Sequence, residues 1–291
     1  SGQTAVFLAS SGGHDEAVQA LVDIGADLNI SDVDGTTPLL VACEGGHEST
    51  VRLALDLGAD ASATDNDGAT SLMLAVVGGS LPALEAVISA AMDKADVLQA
   101  ADASGFSALH HALERGHTDM ALRLVGVGAL GSRASSSSSA SSSKATGKPD
   151  GSSLTRLAAS SGEPAVLNAL RDAGLLGDLN ALDETGMAPL HYAAEASPAN
   201  VEALVAAGAS PDLKSKDGMT PLMIAAESGN ADAIVALIRT GSVNIDEQAE
   251  GATPLMHALA EDQPSAVVAL LDAGARMALP GSDLPPVEMD P

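Results

Sequence analysis

Apolar residues along this chain fall into short paired clusters set off by glycine. The best-formed stretch is residues 34–60, where Leu39 and Ala42 lie on the inward side of a predicted helix opening at Thr37-Pro38. Threonine suits the cap, and proline at the first helical position gives up no hydrogen bond. Gly45-Gly46 breaks this helix. His47 opens a second one carrying Val51, Leu53 and Leu55, and Gly58 supplies the left-handed residue that stops it. From Asp60 to Asp67 the chain is rich in Asp, Ser and Asn, which predicts a projecting turn.

The same pattern returns along the sequence. Glycines that precede the Thr-Pro-Leu position stand at Gly2, Gly35, Gly68, Gly105, Gly151, Gly186, Gly218 and Gly251, spaced by 33, 33, 37, 46, 35, 32 and 33 residues. The helix-ending glycine follows 23 residues later at Gly25, Gly58, Gly128, Gly174, Gly241 and Gly274, and 22 later at Gly208. Thr220-Pro221-Leu222 and Thr253-Pro254-Leu255 repeat the motif, and Ala188-Pro189-Leu190-His191 keeps all but the threonine. The stretch from Asp34 to Asp60 resembles one ankyrin repeat, and 33 residues is the ankyrin period. The resemblance implies an all-α solenoid of eight helix–turn–helix units with projecting β-hairpin-like turns, forming a single array over residues 1–275.

Departures from the pattern carry information. Ala91 replaces the stop glycine of the third unit, and the run Met92 to Gln99 is read as a continuation of its second helix, with Pro82 in that helix's opening turn. The sixth unit is one residue short at Ser197-Pro198. A Ser-rich insertion, 131–149, is expected to be a flexible excursion across which the array continues, two separate domains being the alternative. Residues 276–291 read as a Pro-rich acidic tail or linker. The last second helix, with Val267, Val268, Leu270 and Leu271, is unusually apolar for a terminal unit. The chain begins at Ser1, without Met and part-way into a unit, and is expected to be a fragment or processed form of something longer.

Composition narrows the function. Of the 291 residues 46% are hydrophobic but only 1% aromatic, so the core must be close-packed Ala, Leu, Val and Ile. The formal net charge of −26 repels phosphate backbones and anionic lipid, which argues against a nucleic-acid partner. Cys43 stands alone, excluding an internal disulfide framework; this and the lack of a signal-like N-terminus or an apolar run of 18 residues predict an intracellular, cytoplasmic monomer without membrane insertion.

No constellation points to chemistry. His14, His47 and His117 share the position that opens a second helix, and His110 and His191 take the histidine of the Thr-Pro-Leu-His signature, which in the ankyrin family ties neighbouring turns by hydrogen bonds. His111 and His257 lie outside the consensus and belong to different units. Cys43 sits where a small packing residue belongs. No phosphate loop, zinc-protease motif or paired-cysteine motif occurs, so no catalytic, cofactor-binding or metal-binding residue is assigned and no enzyme is expected. Asn29 and Asn244 occupy turn positions that are hydroxylated in some ankyrin proteins, and a structural turn role is assigned to both.

The resemblance implies a protein-binding scaffold whose partners dock on the concave side. Of the residues following the entry glycines, Phe106, Met187 and Met219 are large and apolar, and they are the expected anchors. The alternative for each is packing on its own turn. Asp34, Asp67, Glu184 and Asp217, with Asp32, Asp65, Asp183 and Glu250, would make an acidic comb that favours a basic protein or peptide. A regulatory or targeting segment of a larger enzyme or channel is the alternative function.

Overall fold

The computed structural model describes residues 2–129 and 151–277, with backbone only at 151 and 152. The expected Ser-rich excursion at 131–149 and all but the first two residues of the 276–291 tail lie outside the described residues. By their contacts the residues form two compact units, one of Ser1–Leu157 with Ala169–Gly177 and the other of Ala158–Asn168 with Asp178–Pro291.

In the first unit the helices come in pairs: α1 (Ala5–Ser11) with α2 (Asp15–Asp23), α3 (Pro38–Glu44) with α4 (Glu48–Asp56), and α5 (Ser71–Val77) with α6 (Leu81–Ala91). A short α7 (Ala95–Leu98) precedes α8 (Ala108–Glu114) and α9 (Thr118–Gly126). First helices stack on first helices, α1 on α3 on α5 on α8, and second helices on second, α2 on α4 on α6 on α9. Helices α10 (Gly151–Ser160) and α11 (Pro164–Asp172) each contribute residues to both units. The second unit continues with α12 (Pro189–Ala196), α13 (Pro198–Ala206), α14 (Pro221–Glu227), α15 (Ala231–Arg239), α16 (Pro254–Ala260) and α17 (Pro264–Asp272), again stacked α12–α14–α16 and α13–α15–α17. Among the described residues β pairing is confined to the isolated bridges Thr64–Thr70 and Ala249–Ala252.

Local chemistry sets the helix starts. Thr4, Thr37, Thr70, Thr220 and Thr253 each accept, through Oγ1, the N–H three residues on, at 3.2–3.4 Å. Ala188 has no such oxygen. There the imidazole of His191 turns back and its Nδ1 accepts the Ala188 N–H at 3.1 Å. His110 does the same for Ser107 at 3.2 Å.

Several sequence expectations need correction. The third unit's second helix lengthens to Ala91 but does not run on, because the chain turns at Met92-Asp93 before the separate α7. In α4 the core positions are Val51 and Ala54, both fully buried, while Leu53 and Leu55 are only half-buried. Gly151 is the first residue of α10 rather than part of a projecting turn. The missing residue of the sixth unit is lost from its inner turn. Ser197 alone joins α12 to α13, in extended conformation at φ −158°, with Pro198 starting the next helix.

Ala-rich interfaces let the helix pairs approach closely, and Gly78 marks the limit. A Cβ there would lie against the carbonyl of Cys43, 2.7 Å from the Glu44 carbonyl oxygen and 2.9 Å from the Gly46 nitrogen, all backbone of the preceding repeat. Successive repeats are also tied at their outer turns. Asn29 Oδ1 accepts the Asp60 N–H at 2.8 Å, Asn180 that of Ser210 at 2.9 Å, Asp212 that of Asn244 at 3.2 Å, and Asp246 that of Arg276 at 2.9 Å. Asn244 in turn accepts the Asp246 N–H through its Oδ1 at 3.3 Å.

Candidate protein-binding surface

Between the helix pairs the chain projects in fingers built to one plan. In the first unit Asp32 accepts through one carboxylate oxygen the N–H groups of Asp34 and Thr36, both at 3.0 Å, while its own N–H bonds the Thr36 carbonyl. Asp65 repeats this with Asp67 and Ala69, and Asp102 with Ser104 and Phe106. In the second unit Asp183 does so with Thr185 and Met187, and Ser215 supplies a hydroxyl to Met219. The fingers are laddered: Asn66 N–H bonds Asp34 O at 3.0 Å and Ala103 N–H bonds Asp67 O at 2.8 Å in the first unit, and Lys216 N–H bonds Gly186 O at 2.9 Å in the second.

This plan divides the expected acidic comb. Asp32, Asp65, Asp102 and Asp183 are half-buried acceptors that hold the fingers in shape, whereas Asp34, Asp67, Glu184, Asp217 and Glu250 stand exposed. At Asp183 burial pushes the carboxyl up, but donations from the Thr185 and Tyr192 hydroxyls and from the backbone outweigh it and hold it below the ordinary range. In the second unit Lys214 and Lys216 interleave with the carboxylates, and Lys214 pairs with Glu247. The eighth finger departs from the plan. It is a two-residue hairpin in which Glu250 and Gly251 both take positive φ, 52° and 87°, and Ala249 and Ala252 exchange both backbone bonds.

The three expected anchors are half-buried rather than projecting. Phe106 packs edge-on against the ring of His110, centroids 5.6 Å apart, and against His111 at 6.0 Å. Met187 and Met219 lie in neighbouring fingers of the second unit; the Met219 carbonyl accepts His191 Nε2 at 3.0 Å, which fixes the Nε2–H tautomer because Nδ1 is already an acceptor. Asp34, Asp67 and Phe106 belong to the first unit, Glu184, Met187, Asp217 and Met219 to the second. The sequence reading passed over Leu8, at 57% exposure, and placed Val33, at 62%, at a turn tip without making it an anchor, though both are more open than any of the three anchors. Val33 sits at a finger tip beside Asp34, and its class alone could have singled it out.

The histidines outside the consensus have structural partners. His111 Nε2 meets Asp102 Oδ2 at 2.9 Å and His257 Nδ1 meets Glu227 Oε1 at 2.9 Å. Tyr192, at the same repeat position, donates to Asp183 Oδ2 at 2.6 Å. His47 Nε2 bonds the Ser11 carbonyl of the preceding repeat at 3.0 Å. Burial pushes the Cys43 thiol up to about 12, so it is not a thiolate at neutral pH. Among the described residues no group of three or more His, Cys, Asp or Glu side chains is placed to hold a metal ion, and no helix is long and apolar enough to cross a membrane.

Comparison with known families decides what these fingers and helix pairs are. The family model for ankyrin repeats matches residues 1–65, 49–132 and 196–279. The chain belongs to the ankyrin-repeat family. Among solved structures it is similar to the human ASB11 ankyrin repeat domain, at 20% identity and a TM-score of 0.50, covering 95% of this chain and 100% of that one. It is also similar to the ankyrin repeat domain of Bcl-3, a member of the IkappaB protein family, at 24% identity and 0.50, covering 93% and 99%. No curated protein sequence matches the chain closely enough to count as a relative. The fold is thus an all-α ankyrin-repeat solenoid. Ankyrin repeats generally mediate protein–protein interaction and are typically non-enzymatic.

Proposed function

We propose that the chain is a non-enzymatic scaffold whose finger side binds a partner protein or peptide with a basic face. The observation that carries this reading is the division of the carboxylates. One set is spent on finger geometry, while Asp34, Asp67, Glu184 and Asp217 are exposed at the tips. Exposed carboxylates on neighbouring fingers within each unit favour a cationic partner chiefly by speeding its approach. Phe106, Met187 and Met219, each half-buried beside these tips, would supply apolar contact at the base of the fingers. The same reading takes the chain to act in the cytoplasm as a monomer.

The test is affinity capture with the unmodified chain against Phe106→Ala/Met187→Ala/Met219→Ala, at two salt concentrations. Loss of specific interactors with the triple change, and weaker capture at high salt, support the assignment. Retention of every interactor by the triple variant removes it.

A further inference from the structure

A repeat array offers an internal test of which surfaces are meant to be covered, because each position can be compared with its counterparts in other repeats. The third residue after the helix-capping position is at most 5% exposed in repeats one to four, six and seven, from Phe7 to Met223, and half-buried at Arg156 in the fifth, but in the eighth it is Met256, at 37%. The sixth residue after the cap is likewise at most 5% exposed from Ser10 to Ala226; in the eighth repeat it is Leu259, at 61%. The fourth residue after the second helix's opening position is at most 2% exposed from Val18 to Ile234, and Val267 takes its place half-buried. Among the described residues the eighth repeat presents methionine, leucine and valine at three positions that, within each unit, lie beneath the next helix pair.

From this we infer that the outer face of α16 and α17 is a second docking surface, which takes an α-helical segment of another protein, apolar on one side and flanked by lysine or arginine. The helical form follows from the footprint, since within each unit the same three positions receive the next helix pair. The basic flank follows from the rim. Glu261, Asp262 and Asp272 are exposed on these helices and their turns, while Arg276, the one lysine or arginine among the described residues from 254 on, is paired with Asp246 at 3.3 Å. A second copy would bring the same acidic rim and a net charge of −26. Residues 278–291 contain three carboxylates and no lysine or arginine, so the rim repels them too.

The experiment uses the full chain, its Leu259→Ser and Leu259→Lys variants, and a fluorescein-labelled synthetic helix of about 18 residues, ~27 Å long. The probe carries leucines at i, i+3, i+4 and i+7 spacing with flanking lysines, and a second probe has glutamates in place of the lysines. In anisotropy titrations the lysine helix should bind the full chain at least tenfold more tightly than the glutamate helix. Leu259→Ser, which leaves charge unchanged, should weaken it on the order of tenfold, and Leu259→Lys at least as much. The finger-side triple variant should bind it normally, which separates this surface from the one proposed above. Equal binding to Leu259→Ser, or no binding of the lysine helix, overturns the inference. So does a tenfold gain on deleting residues 278–291, which would make the chain's own C-terminal segment the occupant. A dimer in sedimentation that Leu259→Lys dissolves would overturn it in favour of a second copy.

Discussion

His191 carries a consequence that can be worked out from its contacts. It is fully buried; its Nδ1 accepts the Ala188 N–H at 3.1 Å and its Nε2–H donates to Met219 O at 3.0 Å. His191→Ala removes both bonds, leaves the Ala188 N–H without its partner while the Met219 carbonyl keeps the Ser215 N–H at 2.8 Å, and opens a void the size of the ring. At about 1 kcal/mol for each lost bond and a further ~1–2 kcal/mol for the void and the stranded N–H, the loss is about 3–4 kcal/mol. His191→Asn, which can satisfy at most one end, should cost roughly half that. Protonation attacks the same arrangement, because an imidazolium would present Nδ1–H to the Ala188 N–H. Burial already lowers the pKa below its ordinary 6.5. The unfolded chain therefore binds the extra proton first, so this contribution is fully present above pH 6.5 and is lost as pH falls through the lower folded value. Hydrogen exchange of peptides spanning 186–220, followed between pH 7.5 and 5.0, reads both effects. If His191→Ala costs less than about 1 kcal/mol, or if His191→Asn shows the same acid sensitivity as the unmodified chain, the tie between neighbouring fingers does not carry the stability assigned to it.

Other substitutions test other parts of the repeat. Gly78→Ala should destabilise the first unit by about 1–3 kcal/mol in urea unfolding, because its Cβ meets backbone atoms of the preceding repeat at 2.7 and 2.9 Å. Thr37→Ala removes a helix cap and should cost about 1 kcal/mol by the same measurement, while Thr37→Ser should be nearly neutral. Asn200→Ala should cost about 2 kcal/mol, since the fully buried amide donates to the carbonyls of both Ala158 (3.3 Å) and Ala159 (2.9 Å). Cys43 should resist iodoacetamide in the native chain at pH 8 and react on unfolding, which makes its labelling rate a gauge of opening in the first unit.

Much of the fold was legible because glycine and threonine act through the backbone, and their spacing survives any change of side chain between repeats. The fingers were less legible. Counting carboxylates cannot reveal that Asp32, Asp65 and Asp183 are acceptors for N–H groups two and four residues on, so charge and scaffold looked alike. Phe106 illustrates a different limit: its class marks it as an anchor, but whether it projects or lies against His110 and His111 depends on packing. The terminal repeat was misread in detail. Val268 faces outward as Val235 does one repeat earlier, at 58% and 46% exposure, and Leu270 is fully buried. The end positions are Val267 together with Met256 and Leu259, two of them from the first helix, and only comparison with the buried counterparts picks them out.

The outer-turn ties of Asn29, Asn180, Asp212 and Asp246 all point the same way, each side-chain oxygen receiving an N–H from the repeat that follows. Directionality of this kind makes the chain read like text with one sense. Cutting out or duplicating a stretch equal to one whole period returns each of these oxygens to an equivalent N–H, whereas a cut between an oxygen and its N–H must be absorbed before the tie can close. The sixth unit shows where that is possible: its missing residue is taken up at the inner turn of Ser197, and the Asn180–Ser210 tie at the outer turn is kept.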